Sequence, residues 1–295
     1  MGSGPLDAWI GSRYPQVKAG VDCARRPGVA AATREGRDSE HVGPEALALT
    51  DSHGASWACA DDEGTSSSST VALLPARAEH GLLVAACPSV SARCVFLSTI
   101  EFTLATEAGT NALLPLRAGQ HAFAAHFVRF ARDPLPSWIF HGAGWEVRFS
   151  LGLVPGKRAL VMRCDRRGDG RAIVEIRPLL AMRAVSATKR EHGGTVNFVK
   201  MRREAVLVKP EPLLPALAFR FCGRFVGSPE WRHHDPEDLW TPGTFRAPVN
   251  PGVSMLVACG IESLPEEPLQ LLWWRVRSGG VMTRPGIASV HPRAV

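Results

Sequence analysis

The sequence predicts an all-β fold, a large two-layer antiparallel β-sandwich, on three observations. Residues 145–153 alternate Trp145, Val147, Phe149, Leu151 and Leu153 with Glu146, Arg148, Ser150 and Gly152, the period of a half-buried strand. On the order of a dozen such short runs, rich in Val, Phe, Thr and Leu, follow one another between turn signals. No stretch carries a convincing amphipathic helical period. Strands with one apolar face need a second layer over them, and a second sheet is the expected cover.

The central stretch, residues 127–183, reads as strands folded back on one another. Pro155-Gly156 ends the 145–153 run as a turn, and Ala159–Cys164 is the returning apolar run. Arg166-Arg167-Gly168-Asp169-Gly170 supplies a turn with two glycines able to take positive φ. Ala172, Val174 and Ile176 then alternate with Ile173, Glu175 and Arg177 until Pro178, which cannot donate to a ladder. Upstream, 71–74 and 81–86 are short apolar runs, 122–132 alternates loosely, and 93–99 and 101–106 read as adjacent strands. Downstream, strands are predicted at 197–199, 205–208, 216–222 and 253–259. Asp61–Thr70 reads as a polar loop, Arg183–Gly194 as another, and Gly227–Pro251 as a long loop without periodicity. Leu269–Val276 fits either a helix or the start of a strand.

The domain division predicted is a disordered or loosely packed leader over 1–55, a sandwich over 56–262, and a partly disordered extension over 263–295. The chain of 295 residues is 45% hydrophobic, enough for a substantial core. Its net charge of +6 is spread thinly, with no block of five like charges, so no nucleic-acid partner is expected. No run reaches the roughly 18 apolar residues of a membrane span, so no membrane partner is expected. Seven cysteines, an odd number without a C-x-x-C pair, and no secretory signal predict reduced thiols and a cytoplasmic protein.

Catalytic and cofactor motifs fail one by one. There is no G-x-S-x-G elbow. Gly142-Ala143-Gly144 has Val147 where a dinucleotide loop needs its third glycine, and Gly156-Lys157 is followed by Arg158 rather than Ser or Thr. His233-His234-Asp235 has no second ligand cluster at metal spacing. No cofactor, metal or catalytic residue is therefore nominated.

Five segments, taken in order, carry a resemblance. They are His80–Ala86 (HGLLVAA), Val95–Leu104 (VFLSTIEFTL), Arg132–Trp138 (RDPLPSW), Glu175–Arg183 (EIRPLLAMR) and Glu237–Phe245 (EDLWTPGTF). Together they resemble the N-terminal domain of the archaeal and bacterial type of glycogen debranching enzyme, over roughly residues 56–262. The resemblance implies a supersandwich-like β domain that precedes an (α/α)-barrel. It also implies a role in glycogen breakdown, where the family transfers a short α-1,4 glucan and hydrolyses the remaining α-1,6 glucose. The departures lie in loops. Glu63-Gly64-Thr65 and four serines replace a glycine-rich segment, Ala78-Glu79 stand before His80 where the family has Arg-Tyr, and Ala184 and Ser186 follow Arg183 where it has Asp and His.

The length leads to the expectation that no room remains after residue 262 for the barrel, and glycoside hydrolysis needs two carboxyl groups about 5–10 Å apart. The expected function is therefore to bind α-glucan or to dock on a separate catalytic-barrel protein. A repurposed interaction protein and a complete glucan hydrolase are the alternatives. Sugar sites pair an aromatic face with charged or amide groups. Trp138, Trp231 and Trp240 are the candidate platforms, with Trp138 fitting core as well. Arg132 and Asp133 form either a sugar-binding pair or a salt-bridged corner. Arg183 either holds a hydroxyl or bridges Glu175 or Glu191. Arg177, His80 and Glu101 read as structural.

Overall fold

The computed structural model describes residues 41–44, 55–116, 125–132, 134–191, 199–202, 205–234 and 237–279. Two antiparallel sheets stack face to face. The first contains β1 (His41–Val42), β7 (Phe127–Ala131), β8 (Ser137–Gly142), β9 (Trp145–Leu153), β10 (Ala159–Gly168), β12 (Val199–Arg202), β13 (Ala205–Val208), β14 (Leu217–Phe221) and β17 (Met255–Ile261). Its order is β1-β7-β8-β9-β10-β17-β14-β13-β12. The second contains β2 (Ser56–Ala60), β3 (Ser66–Thr70), β4 (Gly81–Cys87), β5 (Ala92–Thr106), β6 (Gly109–Leu114), β11 (Ala172–Ala184), β15 (Arg224–His234) and β16 (Glu237–Pro248). Its order is β15-β16-β11-β5-β4-β3-β2, with β6 paired to β5. The all-β sandwich expected from the strand periods is the observed fold.

Alternation decides which side chains fill the space between the layers. Trp145, Val147, Phe149 and Leu151 of β9 and Leu160, Met162 and Cys164 of β10 point into the main core. There they meet Phe102 and Leu104 of β5 and Val174 and Ile176 of β11. An aromatic cluster ties the layers together. Trp138 lies 5.7 Å edge-on to Trp57, 4.9 Å from Phe130 and 5.7 Å from Phe149, while Phe102 lies 5.0 Å from Phe149. The Trp138 indole N–H donates to the Val71 carbonyl at 2.7 Å, so its one polar atom is satisfied inside the core.

The central stretch is not one three-stranded unit. β9 and β10 form the expected hairpin, with Leu160 opposite Leu153 and Gly168 opposite Trp145. The chain then leaves that sheet, and β11 pairs with β5 and β16 in the other. The two-glycine segment is thus a crossing between layers. Gly168 has φ +104°, and a Cβ there would sit 2.1 Å from the Gly144 carbonyl oxygen. Buried Arg166 closes the crossing by donating to the carbonyls of Gly170, at 2.9 Å, and Asp169.

Two predicted loops are strands. Ser66–Thr70 of the serine-rich stretch is β3, paired with β2, and Ser67 and Ser69 are fully buried. Polarity hid it, because alternation in burial was carried by hydroxyls rather than by apolar side chains. Gly227–Pro251 holds most of β15 and all of β16. Pro229 is tolerated because β15 is an edge strand. Gly243, at φ +138°, would place a Cβ 2.2 Å from the Val226 carbonyl oxygen, so the glycine permits close pairing.

Leu269–Gly279 is a helix, α1. Leu269, Leu272, Trp273 and Val276, spaced i, i+3, i+4 and i+7, face Leu135, Val154, Val161, Leu256 and Ala258 on the outside of the nine-stranded sheet. No helix among the described residues is long and apolar enough to cross a membrane. The six described cysteines are free thiols, and Cys164 and Cys259 are fully buried, which pushes their ionisation upward.

Gly152 tests the docking of α1. A Cβ there would lie 2.4 Å from Val276 Cγ1 and 3.0 Å from Leu135 Cδ2. Gly152→Val should lower unfolding free energy by about 1–3 kcal/mol in urea titration, and an unchanged midpoint would show that α1 does not rest on β9.

Candidate functional site

Four of the five resembling segments meet at one corner of the eight-stranded sheet, and a bulge in β11 shapes it. β11 runs in register with β5 to Leu179, then slips between Leu179 and Leu180 and again between Leu180 and Arg183, with Met182 at φ +47°. The slip turns Arg183 away from the main core, toward the 75–80 loop and the start of β16. A left-handed non-glycine residue is costly and persists only when its surroundings hold it. Here the Lys189 ammonium donates to the Met182 carbonyl at 3.2 Å and also to Glu211.

Arg183 is buried and fully engaged. Its Nε and Nη2 make a two-pronged pair with the Glu237 carboxylate, the Nη2 bond being 2.7 Å. Nη1 donates to the carbonyls of Ala78 at 3.1 Å, Ala184 at 3.0 Å and Val185 at 3.3 Å. The partner is Glu237, not Glu175 or Glu191 as the sequence suggested. Glu175 instead pairs with Arg246 across the β11–β16 ladder at 2.5 Å. Arg177 bridges Glu101 at 3.3 Å and Glu230 at 3.5 Å and donates to Thr244 at 3.1 Å, a structural role as expected.

The residue after Glu237 ties down the neighbouring loop. Asp238 Oδ2 accepts from the Glu191 N–H at 3.0 Å, and Oδ1 lies 3.0 Å from His233 Nδ1 and 3.7 Å from Arg190. The Glu191 N–H above all, then His233, holds the Asp238 carboxyl below its ordinary range. His80 Nδ1 accepts the Ala76 N–H at 3.1 Å, which leaves the ring proton on Nε2. Burial lowers the His80 pKa and keeps the imidazole neutral. Beside these groups lies a cavity of about 100 Å³ lined by Pro75, Arg77, Arg183, Thr188, His234 and Glu237. A larger cleft, about 210 Å³, opens between Asp61–Glu63, Leu135-Pro136 and Pro155-Gly156. Asp61 Oδ1 accepts the N–H groups of Glu63 at 3.0 Å and Thr65 at 2.8 Å, so this acid shapes its own turn.

The nominated residues are not gathered into one site. Trp138 is fully buried and Trp240 is 2% exposed, so neither offers a ring to a ligand, and both are corrected to core. Aromatic residues beside Pro-containing segments looked like loop residues, but the segments proved to be strands. Trp231, opposite Trp240 in the β15–β16 ladder, is half-buried, with the Lys189 ammonium 5.8 Å from its ring centre. Arg132 lies at the β7–β8 turn, far in sequence from the Arg183 corner, and Asp133 is outside the described residues. Glu237 and Asp238 carry the corner, yet sequence reasoning used them only as a motif; their signal was two acids opening a segment that resembles a family. Among the described residues no group of three or more His, Cys, Asp and Glu side chains is placed to hold a metal ion.

Two measurements probe the corner. Glu237→Gln leaves the Arg183 charge buried and uncompensated and should cost about 3–5 kcal/mol in chemical denaturation, whereas the joint replacement Arg183→Met with Glu237→Leu should cost much less. A neutral His80 in the folded state means that the unfolded chain takes up its proton first as pH falls. Stability should therefore be level above about pH 6.5 and decline below it. His80→Asn keeps an acceptor for Ala76 and should remove that decline; an identical profile would exclude His80 as its source.

The comparison with family models matches residues 56–256 to the glycogen debranching enzyme N-terminal family. A search of curated proteins finds no match. The matched range spans most of both sheets and all five segments, with the Arg183–Glu237 pair joining two of them. The match covers more than half of the chain, and the chain belongs to the family of glycogen debranching enzyme N-terminal domains.

Proposed function

We propose that this chain acts in glycogen breakdown as a non-catalytic accessory domain that binds α-glucan. The observation that carries this reading is the state of the carboxylates in the resembling segments. Glu101, Glu175 and Glu237 each face a guanidinium, and Asp238 is pinned by a backbone N–H and His233. A glycosidase needs one acid held protonated near neutral pH opposite a second across the bond. Asp238 moves the other way, since its hydrogen bonds favour the charged form. Groups of this kind can position and orient; they do not supply an acid and a base to a glycosidic bond.

Docking on a separate catalytic-barrel protein is the second reading, favoured by the family's name. A stable protein interface takes about 800 Å² from each partner. Among the described residues the exposed large apolar side chains, Met201, Leu213, Val253, Leu271 and Trp274, are mostly scattered, and only Leu271 and Trp274 are neighbours on one element. That surface supports a polysaccharide ligand better than a large apolar contact.

Electrophoresis in glycogen-containing gels tests the proposal. Retarded migration relative to a non-binding control protein is expected, together with no glucose release from a branched limit dextrin. Unretarded migration would remove the glucan reading. Glucose release by the purified chain would replace it with hydrolysis.

A further inference from the structure

We propose that the outward face of α1, centred on Trp274, is the α-glucan contact; this rests on the accessory-domain reading and gives it a site. The face is made by the same helical period that docks the helix. With Leu269, Leu272, Trp273 and Val276 turned into the sheet, Gln270, Leu271, Trp274, Arg277 and Ser278 are turned outward. Trp274 is 67% exposed and Leu271 52% exposed. The two side chains form one small apolar patch on a helix whose opposite face is anchored in the sheet.

The chemistry around the ring selects the occupant. Residues three and four positions apart are neighbours on a helix surface, about 5–6 Å between Cβ atoms. Trp274 is therefore flanked by the Gln270 amide and Leu271 one turn before, and by the Arg277 guanidinium and Ser278 hydroxyl one turn after. The Ser278 hydroxyl donates to the Trp274 carbonyl at 2.5 Å, which fixes the end of the helix beside the ring. One Trp and one Leu together offer apolar area of roughly 200–300 Å², well short of the ~800 Å² per partner of a stable protein interface. A flat aromatic face of that size, bordered by a guanidinium donor, matches a pyranose: the ring covers the sugar's C–H face and the Arg277 guanidinium meets its hydroxyls.

The platform is also held still. Trp273, next in the chain, is buried under the helix, with the Arg163 guanidinium 5.7 Å from its ring centre. Arg275 pairs with Glu267 at 2.5 Å along the flank. The ring is therefore presented without a loop that must order on binding, which lowers the entropic cost of a weak contact. A single stacked sugar binds weakly, and a branched polymer raises the effective concentration of further glucosyl units at the same ring. The face is convex, so it suits the middle of a glucan chain on a particle surface rather than a chain end in a pocket.

The experiment compares wild type, Trp274→Ala, Trp274→Phe and Trp231→Ala in glycogen gels, with maltoheptaose titration by calorimetry and sedimentation velocity. Near-UV circular dichroism checks the fold of each. Expected are retardation of wild type and Trp231→Ala, partial retardation of Trp274→Phe, and control-like migration of folded Trp274→Ala, with at least a tenfold loss of maltoheptaose affinity. Retardation of wild type and Trp274→Ala alike would overturn this site while leaving glucan binding intact. Unretarded wild type would overturn both. A wild-type dimer that Trp274→Ala converts to monomer would assign the face to a second copy of the chain and overturn the proposal.

Discussion

The buried pair of Arg183 and Glu237 is the constraint on which the far corner of the molecule depends. Removing two charges from water is expensive, and such a pair is sustained only when geometry is good and the remaining donors are satisfied. Both conditions hold here. The fork is two-pronged, and the third nitrogen reaches three carbonyls, one of them in the 75–80 loop. A single side chain thus joins the end of β11, the start of β16 and the loop before β4. The small apolar cluster beneath it, Val84, Val95, Leu179, Ala181 and Leu239, is kept from water although it lies on the outer face of the sheet. Ionic contact here organises burial rather than substituting for it.

The same corner explains why parts of the fold were legible in the sequence and parts were not. β9 and β10 announce themselves, because one face is core and the other is polar or small, and alternation survives. β16 does not. From Glu237 to Phe245 every residue is buried, on both faces, so the period of two disappears, and Pro242-Gly243 imitates a turn. β3 fails for the opposite reason, its inward side chains being serines. β11 is legible as a strand, but which sheet it joins depends on partners sixty or more residues away in each direction, and no local pattern holds that information. The sequence offers Arg183 as the holder of a hydroxyl or as a bridge to Glu175 or Glu191, while the acid it pairs with is 54 positions on.

Charge on the eight-stranded sheet is spent on registration. Arg177 stands between Glu101 on β5 and Glu230 on β15, and Arg246 on β16 faces Glu175 on β11. These cross-strand pairs are partly solvated and contribute modestly one by one. Their value lies in penalising slips: moving a strand by one residue would flip the charges into the core. On this sheet, therefore, Glu101, Glu175 and Glu230 are engaged with guanidinium groups of neighbouring strands.

The helix disposes its aromatic residues differently from the strands. A strand in a packed sandwich turns its aromatic residues inward, as Trp57, Trp138, Trp145 and Trp240 show. Any of them exposed on the outer sheet face would invite edge-on or face-on association with another chain. A helix laid on a sheet has a third of its circumference buried and the rest in water, so consecutive tryptophans must part company. Trp273 goes into the interface and Trp274 goes out. Adjacent indoles with opposite burial are therefore a consequence of the helical period, and that period presents a fixed aromatic face without weakening the core. The sandwich supplies the rigidity, and α1 supplies the exposed ring.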